Sequence, residues 1–446
     1  MTARWCFAAV GLAGLACRVI GAGDRRLTLQ FANPADYAEH DVERRVLAPF
    51  LELNPGVRVV QQSVASYRGG GEYRDRIVMS IGAGAPPDVF LLDQSDAPSL
   101  VDGGLLLDLA PYLPRLNVDL SRYDSTVLGI FRRGAAVYAL PKGYTPIVLA
   151  YNRDLFDQAG LAYPTDNWTW DDFLRAARRL TRDTDGDGRV DQWGTMFDRR
   201  SVLWLPWLWS GGGDVLCPDG QHASGCLDSP ASIAALQWYT AWVTRDSVAP
   251  RTTSQGKTPD DILRLFASGR VAMMTVGHFW IPSLRALQTD RRLPIGFAEI
   301  PHRQGFAPRT MVVAAGFAVP AIAAHRRGSV ELAVYLADTL AQRVRAEAGE
   351  EVPSVRAVAE SIAVRDTSGW ERVFLRALAH ARVPWGARIE RWHAVEAVLP
   401  DLLDRITSTG ADPAIAAHDA ARQIDQILAA PPAGESAVGQ RAGRSP

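Results

Sequence analysis

The sequence lacks a charge surplus of either sign, and beyond its first residues it lacks a long apolar run. Its 446 residues carry 48 Lys plus Arg against 49 Asp plus Glu. A balanced charge gives no electrostatic reason to bind nucleic acid or an anionic membrane surface. No later stretch reaches the roughly 20 apolar residues that a membrane-spanning helix needs. We therefore expect no nucleic-acid partner, and contact with a membrane only through a lipid anchor.

Cysteine is scarce as well, with four in the chain. Cys6 and Cys17 lie in the N-terminal apolar segment, which leaves Cys217 and Cys226 for the folded part. These two flank "PDGQHASG", a loop of turn-forming residues, and a disulfide across it is expected in an oxidising compartment. Two reduced thiols in a surface hairpin are the alternative. A catalytic Cys–His pair that uses His222 has no other support in the sequence.

Residues 1–23 have the pattern of an export signal peptide. Arg4 supplies a positive charge, and the run "CFAAVGLAGLAC" is too short to span a bilayer but suits a secretory signal. The ending "GLAC" resembles a bacterial lipoprotein box, although Gly14 and Leu15 depart from its usual pattern. Either Cys17 is lipidated at the outer face of the membrane, or the signal is cleaved near Ala22. Both alternatives place the protein outside the cytoplasm, for example in a periplasm.

Strand and helix patterns alternate over the first hundred residues. They predict strands at residues 26–32, 57–64 and 88–93, and helices at residues 41–53 and 72–87. This order with short connections is typical of an open, doubly wound parallel sheet, which binds ligands at the carboxyl ends of its strands. Asn33, Asp93 and Gln94 lie at those ends. The Gly-rich turn of a dinucleotide site is absent from the sequence there.

Residues 182–194, "RDTDGDGRVDQWG", form an acidic loop directly after a predicted helix. It matches the start of an EF-hand calcium loop, with ligands expected from Asp183, Asp185, Asp187, the carbonyl of Arg189, and Asp191. Gly194 stands where such loops usually carry a bidentate glutamate. Either the loop binds a structural calcium ion with help from another carboxylate, or it is a metal-free turn. We expect no other cofactor.

Several short sequence segments occur along the chain in a characteristic order. They are "LNPGVRV", "AGAPPDVFLLD", "GGLLLDLAPYL", "YALPKGYTPIVLAYNRDLFDQAGL", "NWTWDDFLRAARRLT", "SGRVAMMTVGHFW" and "GFAVPAIAAHRRGSVELAVYLA". In this order the chain resembles the extracellular solute-binding proteins of bacterial ABC importers, most of all the maltose-binding-protein-like family 1 that binds carbohydrates. The resemblance extends over about residues 26–428. It implies an α/β protein with the two-lobed periplasmic-binding-protein fold, each lobe a central sheet flanked by helices, joined by a hinge.

The same resemblance implies a function. A monomer would close its two lobes on a sugar or oligosaccharide and present it, unaltered, to the permease subunits of an ABC transporter. The predicted N-terminal lobe comprises residues 24–141 plus 270–320, and the C-terminal lobe comprises residues 142–269 plus 321–430. Residues 431–446 have the composition of a disordered tail.

Candidate ligand-binding residues divide into two kinds. Aromatic faces pack against the C–H faces of a sugar ring, and the candidates of this kind are Trp209, Trp280, Phe317 and Trp392. Side chains that hydrogen-bond sugar hydroxyls are expected at Asn33, Asp93, Gln94, Tyr144 and Arg309. Each also has a purely structural alternative, as core packing for the aromatic residues and as a loop cap for the polar ones. The family resemblance favours Trp280 for ring stacking.

We predict that the protein is not an enzyme. The sequence carries no nucleophile elbow, zinc-ligand box or phosphate-binding loop. A secreted carbohydrate-active enzyme is one alternative, because a glycoside hydrolase needs only two carboxylates that face each other across a cleft. A binding protein for a polyol or glycerol phosphodiester, or a sensory receptor without a transporter, would use the same fold.

Overall fold

The computed structural model describes residues 26–34, 37–63, 71–251 and 259–430. The strands are β1 Leu27–Asn33, β2 Val57–Ser63, β3 Val89–Asp93, β4 Arg132–Arg133, β5 Ala136–Val137, β6 Ala139–Asn152, β7 Met273–Gly277, β8 Ile295–Ala298, β9 Thr310–Ala318, β10 Val352–Pro353 and β11 Ala381–Arg382. The predicted signal peptide with Cys17 and the predicted tail at residues 431–446 lie outside the described residues.

Helices alternate with the strands along much of the chain. They are α1 Tyr37–Leu53, α2 Gly71–Gly82, α3 Ala97–Asp102, α4 Ser125–Ile130, α5 Arg153–Ala159, α6 Trp170–Leu180, α7 Ser201–Ser210, α8 Pro230–Thr244, α9 Pro259–Ala267, α10 Ile281–Asp290, α11 Arg326–Leu336, α12 Thr339–Glu347, α13 Arg356–Arg365, α14 Trp370–Ala377, α15 Trp392–Glu396, α16 Val398–Thr409 and α17 Pro413–Ala429. None of these described helices is long and apolar enough to cross a membrane.

The start of α6 shows how local sequence sets an element. The hydroxyl of Thr169 accepts a hydrogen bond from the amide of Asp172, and the Asp172 carboxylate accepts one from the amide of Thr169. This capping box satisfies two amide groups that the first helical turn leaves without partners. Phe173, Ala177 and Leu180 then form a buried stripe at helical spacing. The sequence pattern therefore places the helix directly before the acidic loop.

Two long strands, β6 and β9, connect the strands of the first part of the chain, β1 to β3, with β7 and β8. Strand β1 lies between β2 and β3 and is parallel to both, as the alternating pattern predicts. Strand β3 then pairs with β9, and β9 pairs with the first half of β6, both antiparallel. The second half of β6, from Ile147 to Asn152, pairs with β7 and β8. The sheet thus has two halves joined through continuous strands.

The strand pairing corrects the predicted division into lobes. The prediction assigns residues 270–309 to the N-terminal lobe, but β7 and β8 pair with the second half of β6, which belongs to the other half of the sheet. It assigns residues 321–347 to the C-terminal lobe, but Val330, Leu332 and Ala333 of α11 share a buried core with Leu29 and Phe31 of β1. The predicted crossings at residues 269/270 and 320/321 therefore both lie too early in the chain, because β7 and β8 still belong to the second half of the sheet and α11 to the first.

Strand β6 runs without a break from Ala139 to Asn152, although it contains a proline and a glycine at residues 141–143. The "PKG" segment is accommodated by a register shift between Pro141 and Gly143 in the pairing with β9. A side chain at residue 143 would collide with Glu351, because an added Cβ would lie 2.5 Å from its Cγ. Glycine at this bulge therefore lets Glu351 approach the strand and reach Lys142, whose Nζ lies 2.9 Å from its carboxylate.

The tryptophans mostly build the core of the second half. Trp170 and Trp238 stack with ring centroids 4.1 Å apart, and Trp207 meets Trp242 edge to face at 5.0 Å. The Trp207 indole N–H donates to the hydroxyl of Thr275 on β7 at 3.1 Å. A disulfide joins Cys217 to Cys226 across the loop that follows α7, with the two Cα atoms 5.3 Å apart. Together these contacts fix the end of α7 and the loop after it.

Candidate ligand-binding site

A cavity of about 240 Å³ lies at the C-terminal end of α7. Three segments of the chain that are remote in sequence form its walls. They are the end of α7 with the loop after it, the loop before β9, and the end of β11. The lining residues are Trp209, Gly212, Gly213, Asp214, Phe306, Ala307, Arg309 and Arg382. Aromatic rings, two glycines and charged groups thus share one small space.

The carboxylate of Asp214 organises this cavity. One of its oxygens accepts hydrogen bonds from the indole N–H groups of Trp209 at 2.9 Å and Trp385 at 2.7 Å. The other oxygen accepts a bond from the guanidinium of Arg382 at 2.6 Å. Arg382 also lies over the ring of Trp209, with its Cζ 4.9 Å from the centroid. The planes of both indoles are therefore fixed by a single side chain.

Phe306 supplies the exposed aromatic surface of the cavity. Its side chain is 41% exposed, whereas Trp209 is 4% exposed. The ring lies against the backbone of Gly212, where an added Cβ would be 2.2 Å from the phenyl ring. Gly212 also has a φ of +84°, which favours glycine. Glycine at position 212 thus allows the exposed ring to pack closely against the backbone.

A second cavity of about 530 Å³ lies between α4 and residues 383–388. It is lined by Ser125, Thr126, Gly129, Ile130, Arg133, Val383, Ala387 and Arg388. Residues 382–388 contribute to both cavities, since Arg382 lines the first and three later residues line the second. Because Arg382 and Val383 are consecutive residues, a single segment of the chain lines both cavities.

The carboxyl end of β3 approaches the same segment from the first half of the sheet. The carboxylate of Asp93 accepts hydrogen bonds from the amide and hydroxyl of Ser95, at 2.8 and 2.5 Å. Burial raises the pKa of Asp93 above its ordinary value, although these bonds oppose the shift. An added Cβ at Gly386 would lie 3.1 Å from the Cβ of Ser95. Glycine at this position allows the two halves to meet closely.

Asp96 makes a further contact between the halves. Its carboxylate lies 2.9 Å from Nε2 of His393 and 3.1 Å from Nε of Arg74. The hydrogen bond that Nε2 of His393 donates to this carboxylate raises the pKa of His393 above its ordinary value. The segment that contains α15 is thus tied to the first half of the sheet beside the candidate site.

Four of the predicted ligand-binding residues lie at or beside this site. Trp209 and Arg309 line the first cavity. Trp392 lies against Gly386, where an added Cβ would be 2.7 Å from its indole Cδ1. Asp93 lies at the strand end that faces the same segment. The sequence therefore indicates two of the three walls of the first cavity, through Trp209 and Arg309.

Two other predicted aromatic residues pack in the protein core. Phe317 is fully buried against Phe31, with ring centroids 5.9 Å apart, so its predicted approach to the site is not seen. Trp280 is 7% exposed and belongs to the buried core. Its ring also lies beneath the guanidinium of Arg200, at 5.3 Å from the centroid.

The remaining polar candidates are also held by the fold. The Gln94 side-chain oxygen accepts a bond from the amide of Ala314 at 3.0 Å and joins β3 to β9. Asn33 accepts a long bond of 3.5 Å from Gln61. Tyr144 is 2% exposed, and burial raises the pKa of its hydroxyl. None of the three lines either cavity.

The sequence reasoning missed Asp214, Phe306, Arg382 and Trp385 around the first cavity, and all the lining residues of the second. For Asp214 a signal existed, because "GGGD" follows Trp209 and the serine after it, and glycines beside an aromatic residue mark a close approach. Phe306, Arg382 and Trp385 carry no local signal. Their roles depend on contacts between distant parts of the chain. Phe306 lies against Gly212, and Arg382 and Trp385 bond to Asp214, which is 168 and 171 positions away.

The acidic loop at residues 182–194 is exposed and lies apart from both cavities. Carboxylate oxygens of Asp183, Asp185 and Asp187 lie within 4.8 Å of one another. The carboxylate of Asp191 bonds the amide and hydroxyl of Thr184 instead, both at 2.8 Å. Three of the predicted calcium ligands are therefore gathered, and the fourth carboxylate is occupied by a neighbour within the loop.

Comparison with known proteins shows the same architecture elsewhere. An ABC substrate-binding protein of Listeria monocytogenes in complex with cycloalternan superposes with a TM-score of 0.78 at 20% identity, over 90% of this chain and 99% of that one. A solute-binding protein of Thermotoga lettingae bound to alpha-D-tagatose gives 0.75 at 23% identity, over 91% and 100%. UgpB of Mycobacterium tuberculosis with glycerophosphocholine gives 0.76 at 20% identity, over 90% and 98%. The predicted two-lobed α/β fold is confirmed.

Similarity in sequence is more limited. A binding protein of Brucella abortus strain 2308 is 26% identical over 227 residues, which are 51% of this chain and 52% of that protein. This chain thus spans about half the length of the curated relatives it matches. The family model described as bacterial extracellular solute-binding protein matches residues 32–342, well over half of the chain. The chain therefore belongs to the family of bacterial extracellular solute-binding proteins.

Proposed function

We propose that the protein is the extracytoplasmic substrate-binding component of an ABC transporter for a sugar or oligosaccharide. The observation that carries this proposal is the first cavity, where an exposed phenyl ring, an anchored indole and polar groups surround a small space. Apolar ring faces and directional polar groups together are the requirements of a sugar site. The sugar-bound solute-binding proteins of the same fold support this interpretation.

We infer that binding works by closure of the two lobes. Strands β6 and β9 connect the halves, and the segment at residues 382–388 forms part of both cavities. A ligand that contacts both halves only in the closed arrangement shifts the population towards that arrangement. The permease subunits then recognise the closed, monomeric protein, and the ligand leaves chemically unchanged.

A panel of mono- and oligosaccharides, polyols and glycerol phosphodiesters tests the proposal. We expect at least one saccharide to raise the melting temperature and to bind with a single-site isotherm in calorimetry. Mass spectrometry of the recovered saccharide should show the starting compound, and X-ray scattering should show a smaller radius of gyration with ligand. Cleavage of the saccharide would instead establish a carbohydrate-active enzyme. Binding of a polyol or phosphodiester alone would change the ligand class.

The exposed ring of Phe306 gives a first prediction. Phe306→Ala should weaken saccharide binding about tenfold, which corresponds to about 1.4 kcal/mol, because the stacking face is lost. The melting temperature without ligand should stay within about 1 °C, because 41% of the side chain is already exposed. Phe306→Tyr keeps the ring and is the matched control. Equal affinities for all three proteins in calorimetry would remove Phe306 from the binding surface.

For the acidic loop we propose a structural calcium ion. Asp183, Asp185 and Asp187 offer oxygens at mutual distances that suit a hard cation, and the carbonyl of Arg189 would complete the near side. Such an ion would stabilise the connection between α6 and the segment after it. Asp191 would have to leave Thr184 to join the shell.

Millimolar calcium is therefore expected to raise the melting temperature by at least about 2 °C after treatment with a chelator. Asp185→Asn keeps the acceptor for the amide of Asp187, 3.1 Å away, but removes a charge, and it should abolish the calcium effect. Asp290→Asn, an exposed change at the end of α10, should leave the effect intact. An unchanged melting curve of the parent protein with calcium would establish a metal-free turn.

A further inference from the structure

The charges around the two cavities are unequal in sign. Their lining contains four arginines, Arg133, Arg309, Arg382 and Arg388, and one carboxylate, Asp214. Arg382 is paired with Asp214 at 2.6 Å, which neutralises both. Three guanidinium groups remain at the site without a carboxylate among the lining residues. The net charge of the whole chain is −1, so this excess is local.

The contacts of the three remaining arginines do not offset their charge. Arg133 donates to the carbonyls of Ile130 at 3.2 Å and Ala387 at 3.4 Å. Arg388 donates to the carbonyl of Pro218 at 3.3 Å and lies over the ring of Trp385. Within the part of the chain that the structure describes, the guanidinium of Arg309 has neither a hydrogen bond nor an ion pair.

Three carboxylates lie near the cavities but outside their lining. Asp96 is paired with Arg74 and His393. Asp124 caps α4 through the amides of Thr126 and Val127, and because these groups are neutral its charge offsets one of the three arginines. Asp93 is buried, and burial raises its pKa. An excess of positive charge therefore remains beside the cavities and is available to a ligand.

We infer that the ligand carries an anionic group, which makes it an acidic saccharide or a sugar-like phosphodiester rather than a neutral sugar. This inference rests on the proposed function and narrows its substrate class. A guanidinium recognises a carboxylate or phosphate through two parallel N–H···O bonds between opposite charges, whereas the hydroxyls of a neutral sugar accept its hydrogen bonds but carry no charge to match it. Arg309 receives the anionic group beside Phe306, which packs the apolar face of the ligand. Arg133 and Arg388 attract it from the second cavity.

Calorimetry with matched ligands tests the inference. The probes are glucose and galactose, glucuronic and galacturonic acid, their neutral and acidic disaccharides, and glycerophosphocholine. We expect an acidic member to bind at least tenfold more tightly than its neutral counterpart, and its affinity to fall as salt is added. Binding of the uronates identifies a carboxylate, and binding of glycerophosphocholine alone identifies a phosphodiester. A neutral sugar that binds as tightly as its acid overturns the inference and leaves the proposed function standing.

Two variants distinguish the loss of the Arg309 charge at the site from a general effect of losing a surface arginine. Arg309→Gln should weaken the acidic ligand at least tenfold and leave a neutral analogue within threefold. Arg327→Gln makes the same chemical change on the exposed surface of α11 and should alter neither. If Arg309→Gln binds the acidic ligand like the parent protein, the assignment of Arg309 is wrong. If no saccharide or phosphodiester in the panel binds, the proposed function fails together with the inference.

Discussion

Asp214→Ala should lower the free energy of unfolding by about 3–5 kcal/mol and abolish ligand binding. The change leaves the buried indole N–H groups of Trp209 and Trp385, which are 4% and 2% exposed, without their acceptor. It also leaves the guanidinium of Arg382 without its carboxylate. Each such loss costs about 1–3 kcal/mol where water cannot replace the partner, and the open cavity reduces the sum. Urea unfolding followed by tryptophan fluorescence measures the effect.

Two further variants distinguish the network from a general loss of stability. Asp214→Asn keeps an oxygen acceptor for the two indoles but loses the charge that pairs with Arg382, so it should cost about 1–2 kcal/mol. Asp102→Ala, an exposed change at the end of α3, should cost less than about 0.5 kcal/mol. A cost for Asp214→Ala as small as that of Asp102→Ala would show that Asp214 does not organise the cavity.

Elements governed by local periodicity could be predicted closely from the sequence. The predicted strand at residues 57–64 is observed as Val57–Ser63, and the strand at 88–93 as Val89–Asp93. A strand with one buried face alternates apolar and polar residues, and one with two buried faces is a short apolar run. Either pattern is visible in a few adjacent residues, so the strand can be predicted without knowledge of tertiary contacts. The helix predicted at residues 72–87 ends at Gly82, because the glycines and prolines that follow stop it.

Contacts between distant segments could not be predicted in this way. Arg382 and Asp214 are separated by 168 positions, and nothing in the neighbourhood of either residue identifies the other. The same holds for the division into lobes, because β7 and β8 look like strands of either half until their pairing with β6 is known. Trp280 illustrates a second limit. An aromatic residue at a strand end has the same local sequence pattern whether it packs in the core or faces a ligand, so its burial is known only from the structure.

Glu350→Gln should make the protein more stable than the parent at pH 8 by about 2–3 kcal/mol, with little difference at pH 4.5. Glu350 lies beside the bulge of β6, 8% exposed, with one carboxylate oxygen 3.3 Å from Nζ of Lys142 and the other without a hydrogen-bond partner among the described residues. Burial raises the pKa of Glu350 from 4.5 to about 7, even though Lys142 opposes the shift. Glu351 already holds Lys142 at 2.9 Å, so the charge of Glu350 is poorly compensated.

The sign of the pH dependence follows from proton binding. Between pH 4.5 and about 7 the folded protein keeps a proton on Glu350 that the unfolded chain releases, so this residue's contribution to stability is complete below pH 4.5 and is lost as the pH rises through about 7. The side-chain amide introduced by Glu350→Gln stays neutral at every pH and removes that slope. Glu360→Gln, an exposed change on α13, should leave the slope unchanged. Urea unfolding at pH 4.5 and pH 8 measures both differences, and parallel pH profiles for the parent and Glu350→Gln would contradict a buried, proton-retaining carboxyl beside the strand that joins the lobes.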